Sequence, residues 1–166
     1  MRVHCVARGT GLAPINRVHS TPVLIVDDDA ASRELMATVL RLTGLGTVTV
    51  GNGADALKYL RAGGDACVIL LDLMMPVMDG FEFRREQLRE PRLAAIPVVV
   101  LSAIASTRIS ELQGCAAFDK PVDVFEIADL VRQLRWRRAG SPERPIPAKQ
   151  LPPEMSSGLA PTWWTL

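Results

Sequence analysis

The chain has 166 residues, a near balance of 19 basic and 18 acidic side chains, and 48% apolar residues. That is enough for one domain with a sizeable core and short for two. The net charge of +1 excludes a basic footprint spread over the chain, and no apolar stretch approaches a membrane span. Cys5, Cys67 and Cys115 lack metal-ligand spacing and read as free thiols of a reducing, cytoplasmic compartment.

Residues 1–21 read as a disordered leader: they carry Arg2, Arg8 and Arg17, no acid, and no apolar core of a secretory signal. Val23-Leu24-Ile25-Val26 is a short apolar strand ended by Asp27-Asp28-Asp29. Helical spacing follows over 31–43, with Leu35, Met36, Val39, Leu40 and Leu42 expected on one broad buried face. Gly44 closes that helix. Thr47-Val48-Thr49-Val50 is β-branched and reads as a strand. After the Gly51-Asn52-Gly53 turn, 54–62 predicts a helix with Ala56, Leu57 and Leu60 inward. Residues 67–71, Cys-Val-Ile-Leu-Leu, form an unbroken apolar run that ends on Asp72, as expected of a central parallel strand buried on both faces.

A helix over about 80–90 is expected to bury Phe81, Phe83 and Leu88 and to end at Pro91. Residues 96–101 predict a fourth strand, ended by Ser102. A short helical stretch at 106–113 holds Ile109 and Leu112, and Gly114 breaks it. Cys115-Ala116-Ala117-Phe118 is a fifth strand, followed by Asp119-Lys120-Pro121. The last helix, about 122–137, spaces Val124, Phe125, Ile127, Ala128, Leu130, Val131 and Leu134 for burial. Five alternations of strand and helix between 23 and 138 mean an α/β domain with a parallel sheet covered on both faces. Residues 139–166 hold six prolines and no periodicity, the composition of a disordered tail. Trp163-Trp164 stands out in it, and a tail that merely ends in tryptophans is the simpler account than a docking peptide.

Four apolar runs end in polar residues: Asp27-Asp28-Asp29, Asp72, Ser102 and Lys120. If the strands are parallel, all four endings share one edge, where open α/β sheets place their ligands. Any one carboxylate after a strand is most simply a helix cap, and Asp29 and Asp79 fit that role. Their joint occurrence points elsewhere. Crowded carboxylates need a cation, and Mg²⁺ suits one or two carboxylates, waters and a phosphate oxygen. Asp28 and Asp72, with a backbone carbonyl after Asp72, are natural ligands. The fitting chemistry is phosphoryl transfer to the Asp72 carboxylate, with Lys120 and the Ser102 hydroxyl on the new phosphoryl oxygens. Only Lys58, Lys120 and Lys149 among the 19 basic residues are lysines, so a lysine before proline at a strand end is no filler.

These stretches, Val23 to Asp29, Leu71 to Gly80 (Leu-Asp-Leu-Met-Met-Pro-Val-Met-Asp-Gly), Pro97 to Ala103 and Lys120-Pro121, resemble the receiver domain of two-component response regulators over about residues 22–137. The resemblance implies a flavodoxin-like (βα)5 three-layer sandwich with strand order 2-1-3-4-5. It implies Asp72 as phosphoacceptor, Asp27 and Asp28 as the acidic pair for Mg²⁺, and the carbonyl of Met74 as backbone ligand. Ser102 matches the switch hydroxyl and Lys120 the family's lysine. The donor would be a histidine kinase or a phosphotransfer protein. The readout would be a downstream partner protein or self-association as a homodimer, with no membrane and no nucleic acid.

Two departures from the family pattern stand out. Ser102 to Lys120 runs shorter by about one helical turn. The fifth strand normally carries an aromatic that swings inward when the hydroxyl binds phosphate; Phe118 is the candidate, and a one-residue slip would turn it to the opposite face. Second, the tail is too short and proline-rich for a winged helix, so a single-domain regulator, 22–138, is expected. A non-switching interaction module of the same fold is the alternative. An aspartate-nucleophile phosphohydrolase would carry a second Asp two residues after the nucleophile, where Met74 stands. Arg132, Arg135, Arg137 and Arg138 read as a solvated helix end, since no base-reading motif accompanies them.

Overall fold

A computed structural model describes residues 21–103, 112 and 114–138, with side chains through 135. The expected leader up to residue 20, most of the helical stretch at 106–113, and the tail with Trp163-Trp164 lie outside the described residues. The elements run β1 (Val23–Val26), α1 (Ala30–Leu42), β2 (Thr47–Val50), α2 (Gly53–Arg61), β3 (Val68–Leu71), α3 (Gly80–Leu88), α4 (Pro91–Ala94), β4 (Val98–Ser102), β5 (Ala116–Asp119) and α5 (Val124–Arg138). All five strands are parallel, in the order β2-β1-β3-β4-β5. This is the flavodoxin-like order that the resemblance implied.

Strand alternation divides the core in two. Leu24, Val26, Ile69, Leu71, Val98 and Val100 face one side, against Ala56, Leu57 and Leu60 of α2, Phe83 of α3 and Leu93 of α4. Val23, Ile25, Val68, Leu70, Val99 and Leu101 face the other, against Met36, Ala37 and Leu40 of α1 and Ile127, Ala128 and Val131 of α5. Central strands buried on both faces explain the unbroken apolar runs of β1, β3 and β4. The edge strands β2 and β5 are only half-buried.

Helix starts are set by side-chain caps. Asp29 accepts from the Ala31 amide at 2.9 Å and begins α1. Asn52 accepts from the Asp55 amide at 2.9 Å and begins α2. Asp79 and Glu82 form a reciprocal capping box at the start of α3.

Some expected faces are corrected. Leu35 and Leu42 are 62% and 82% exposed, because the buried stripe of α1 is Met36, Ala37 and Leu40. Phe125 and Leu88 are likewise exposed. In α3 the buried face is Phe83, Arg84 and Gln87. The fully buried Gln87 amide donates to the carbonyls of Leu93 (2.8 Å) and Ile96 (3.0 Å), and its oxygen accepts from Arg84 at 2.8 Å. Pro91 does not merely end α3; it occupies the first turn of α4, where its missing N–H costs no hydrogen bond.

Candidate functional site

β1 and β3 pair in register, Val26 opposite Leu71, so the next residues, Asp27 and Asp72, emerge side by side at the carboxyl edge. The Asp72 amide donates to the Val26 carbonyl at 2.9 Å and fixes that alignment. Ser102 ends β4, opposite Asp119 of β5, and Lys120 follows. β5 is separated from β3 by β4, so Lys120 reaches the acids by crossing the end of β4. A long flexible stem suits that path better than a planar guanidinium.

The Lys120 ammonium lies 2.8 Å from Asp27 Oδ2 and 2.6 Å from Asp72 Oδ2. The other oxygens are also engaged. Asp27 Oδ1 accepts the Asp29 amide at 2.8 Å. Asp72 Oδ1 accepts the amides of Leu73 (2.6 Å) and Met74 (3.2 Å). Both acids are therefore oriented by backbone on one oxygen and bridged by one cation on the other. Burial disfavours the Lys120 charge, but hydrogen bonds and attraction from Asp27 and Asp72 outweigh it, and its pKa is raised above the ordinary 10.5.

Asp28 is exposed and completes the cluster: one carboxylate oxygen each from Asp27, Asp28 and Asp72 lies within 4.8 Å of the others. This all-oxygen donor set, with three negative charges against one ammonium, fits a hard divalent cation of the Mg²⁺ kind. The Ser102 side chain is 1% exposed, and its hydroxyl has no hydrogen-bond partner among the described residues. A buried hydroxyl without a partner is costly, and a ligand oxygen would satisfy it.

Met74 lies in the loop after Asp72 with its side chain exposed and its amide turned to the Asp72 carboxylate. Phe118 lies in β5. It pairs with Leu101 and packs on the α1 and α5 side of the sheet, whereas its neighbour Ala117 packs with the opposite core, the side to which alternation along β4 assigns Ser102. One position along a strand inverts the face.

Sequence reasoning missed three supports. The Arg33 guanidinium donates to the Asp27 carbonyl at 2.5 Å from the first turns of α1. Gly80 packs so tightly that a Cβ there would strike the Asp72 carbonyl and approach Leu73 Cα to 2.8 Å. Its amide donates to the Leu73 carbonyl at 2.9 Å, pinning the loop that follows Asp72. The third is the turn at Val77. Its φ is +72°, it is 84% exposed, and the Met78 amide donates back to the Pro76 carbonyl at 2.9 Å. An i to i+2 bond around a positive φ is a strained γ-turn, and a β-branched residue makes it more so. Only the glycine in Asp79-Gly80 carried any signal in the sequence.

The response regulator receiver domain profile matches residues 23–132. The response regulator Rre1 of Synechocystis is 37% identical over 124 residues, 72% of this chain and 53% of Rre1. The chain thus spans about half the length of that relative. The two-component response regulator ORR5 of Oryza sativa subsp. japonica is 32% identical over 134 residues, 78% of this chain and 96% of ORR5. Among solved structures, the signal receiver domain of a Syntrophus aciditrophicus histidine kinase matches with a TM-score of 0.67 and 27% identity, over 76% of this chain and 98% of that one. No helix among the described residues is long and apolar enough to cross a membrane. Receiver domains are phosphoacceptors that bind Mg²⁺ in an acidic pocket and interact with histidine kinases and downstream effectors. By sequence profile, by relatives and by fold, this chain belongs to the response regulator receiver domain family of two-component signalling.

Proposed function

We propose that Asp72 accepts a phosphoryl group from a histidine kinase or phosphotransfer protein in the cytoplasm, and that this shifts the chain between two partner-binding states. Residues 22–138 are the receiver unit. The observation that carries this reading is the Lys120 ammonium bridging Asp27 and Asp72 beside the Asp28 carboxylate.

Asp27, Asp28, Asp72 and the Met74 carbonyl would hold Mg²⁺, which when bound supplies charge neutralisation for phosphoryl oxygens. The chain's own groups do the rest. Asp72 is oriented by the Leu73 and Met74 amides on one carboxylate oxygen. In the resting site Lys120 occupies the other oxygen. Its ammonium then turns to a phosphoryl oxygen as charge builds there, and the Ser102 hydroxyl gains the partner it lacks. The two states need differ by only a few kcal/mol, about the worth of one or two charge-assisted hydrogen bonds. Turnover beyond slow self-dephosphorylation is not expected, because Met74 stands where a phosphohydrolase would place its general acid.

Intact mass after incubation with acetyl phosphate and Mg²⁺ tests this. The parent should gain one phosphoryl group, and Asp72→Asn, or the parent without Mg²⁺, should gain none. Labelling that persists in Asp72→Asn would place the acceptor elsewhere. A second reading, the non-switching interaction module, draws on Ala117 standing on the face assigned to Ser102, where the family's moving aromatic would be. It predicts labelling without any change in partner affinity or self-association.

A further inference from the structure

Arg33 reaches from α1 to the strand end that carries the acidic pair. The ladder between β1 and β2 closes with the Asp27 amide donating to the Val50 carbonyl at 3.3 Å. β2 stops at Val50, and α2 already begins at Gly53. The Asp27 carbonyl therefore lies beyond the ladder, where a backbone acceptor still needs a donor. Arg33 supplies it: Nη1 donates to that carbonyl at 2.5 Å. The guanidinium sits against the next turn as well, since a Cβ at Gly51 would come 3.9 Å from Nη1.

That carbonyl belongs to the peptide plane joining Asp27 to Asp28. Its oxygen is held by Arg33, and the Asp29 amide is held by Asp27 Oδ1 at 2.8 Å. The two bonds bracket Asp28. The Asp28 side chain is exposed, so its direction comes from the backbone that carries it. Of the three carboxylates in the cluster, Asp27 and Asp72 are also held by Lys120; the place of Asp28 depends on this turn.

We propose that Arg33 is a positioning residue for the divalent cation: by holding the Asp27–Asp28 peptide plane it aims the Asp28 carboxylate into the acidic cluster. The proposal rests on the reading that Asp27, Asp28 and Asp72 hold Mg²⁺. Charge and geometry predict opposite signs here. A guanidinium near three carboxylates repels a further cation, so by charge alone its removal tightens Mg²⁺ binding. Groups that orient a metal's ligands raise affinity, and their loss weakens it. Geometry should win. Arg33 is only half-buried, so water screens its charge, while its bond to the carbonyl acts directly on the backbone that bears the ligand.

Isothermal titration calorimetry of the full chain with MgCl₂ tests this in the parent, Arg33→Met, Arg33→Gln and Arg33→Lys, beside urea midpoints taken without Mg²⁺. Arg33→Met keeps an apolar stem and removes donor and charge, and its Kd for Mg²⁺ should rise by about tenfold. The Mg²⁺ concentration for half-maximal labelling of Asp72 by acetyl phosphate should rise with it, by a larger factor than the plateau rate falls. Arg33→Lys keeps a charged donor and should recover most of the affinity. Arg33→Gln, neutral and too short for the carbonyl, should behave as Arg33→Met does, and it decides the sign if the methionine variant does not fold. Tighter Mg²⁺ binding in the neutral variants would overturn the proposal in favour of charge. A lower urea midpoint with unchanged Kd would overturn it in favour of a role in the fold alone. A parent that binds and labels while every variant matches it would overturn this inference only. A parent that binds no Mg²⁺ would overturn the metal reading and this inference with it.

Discussion

The two halves of the sheet's carboxyl edge are built differently. At β1 and β3, fully buried strands in register deliver two acids whose oxygens are all engaged, by amides on one side and by Lys120 on the other. At β4 and β5, a buried hydroxyl stands without a partner among the described residues, next to a half-exposed edge strand. One half is pre-organised before any ligand arrives. The other gains a bond only when one does. Under the proposed function, reaction chemistry would belong to the first half and change of state to the second, and substitutions should separate them.

The largest effect is expected from Lys120→Met. It leaves Asp27 and Asp72 facing each other without their shared cation and would remove the proposed donor to the phosphoryl oxygens. Labelling by acetyl phosphate should slow by about a hundredfold. The same ammonium makes a pH prediction. Its folded pKa is raised, so its contribution to stability is complete below pH 10.5 and is lost as pH rises through the higher folded value. Urea midpoints of the parent should fall in that alkaline range. If Lys120→Met showed the same fall, another group would be responsible.

Gly80→Ala comes next. A Cβ driven against the Asp72 carbonyl and Leu73 should cost about 2 kcal/mol by overpacking, seen as a lower urea midpoint, and should weaken Mg²⁺ binding because the pinned loop moves.

Ser102→Ala tests the other half. Removing a hydroxyl that makes no bond should leave stability within about 1 kcal/mol, while labelling or the lifetime of the labelled form changes by about tenfold, the worth of one charge-assisted bond. Loss of stability with unchanged labelling would mean that the hydroxyl serves the fold instead. The smallest effect is expected from Val77→Gly. Glycine adopts the positive φ of the γ-turn without strain, and the exposed isopropyl group contributes little to the core, so stability should rise by about 1 kcal/mol. A lower thermal midpoint would show that the valine side chain is needed where it is.

The first half of the edge was legible in the sequence because its determinants are local and loud. Apolar runs that end in Asp27 and Asp72 can be read one strand at a time, and parallel pairing does the rest. Lys120 was legible as a rare lysine at a strand end. What escaped is the part of the pattern carried by letters of the wrong polarity. Arg84 and Gln87 occupy the buried stripe of α3, so an apolar-periodicity argument moved that stripe to Leu88. In α1 the small Ala37 is buried while the larger Leu35 and Leu42 are not. The face of Phe118 could not be read from the sequence, because a strand of four residues has too few alternations to fix its own phase; its pairing with β4 assigns it. Gly80 and Val77 act through backbone geometry, which residue type hints at only for the glycine.

The bridge from Lys120 has a temporal side as well. It joins residues 93 apart to Asp27 and 48 apart to Asp72. On a growing chain, β1 and β3 emerge and can pair long before Lys120 is added. Until then, Asp27 and Asp72 meet with no counter-charge from β5, and the central pair of strands carries that repulsion. Contacts between such distant residues form late, because loop closure must precede them. Docking of β5 would therefore do two things in one step: close the edge of the sheet and discharge the repulsion stored at its centre. The fifth strand of this sheet would be the one that lets the first strand settle.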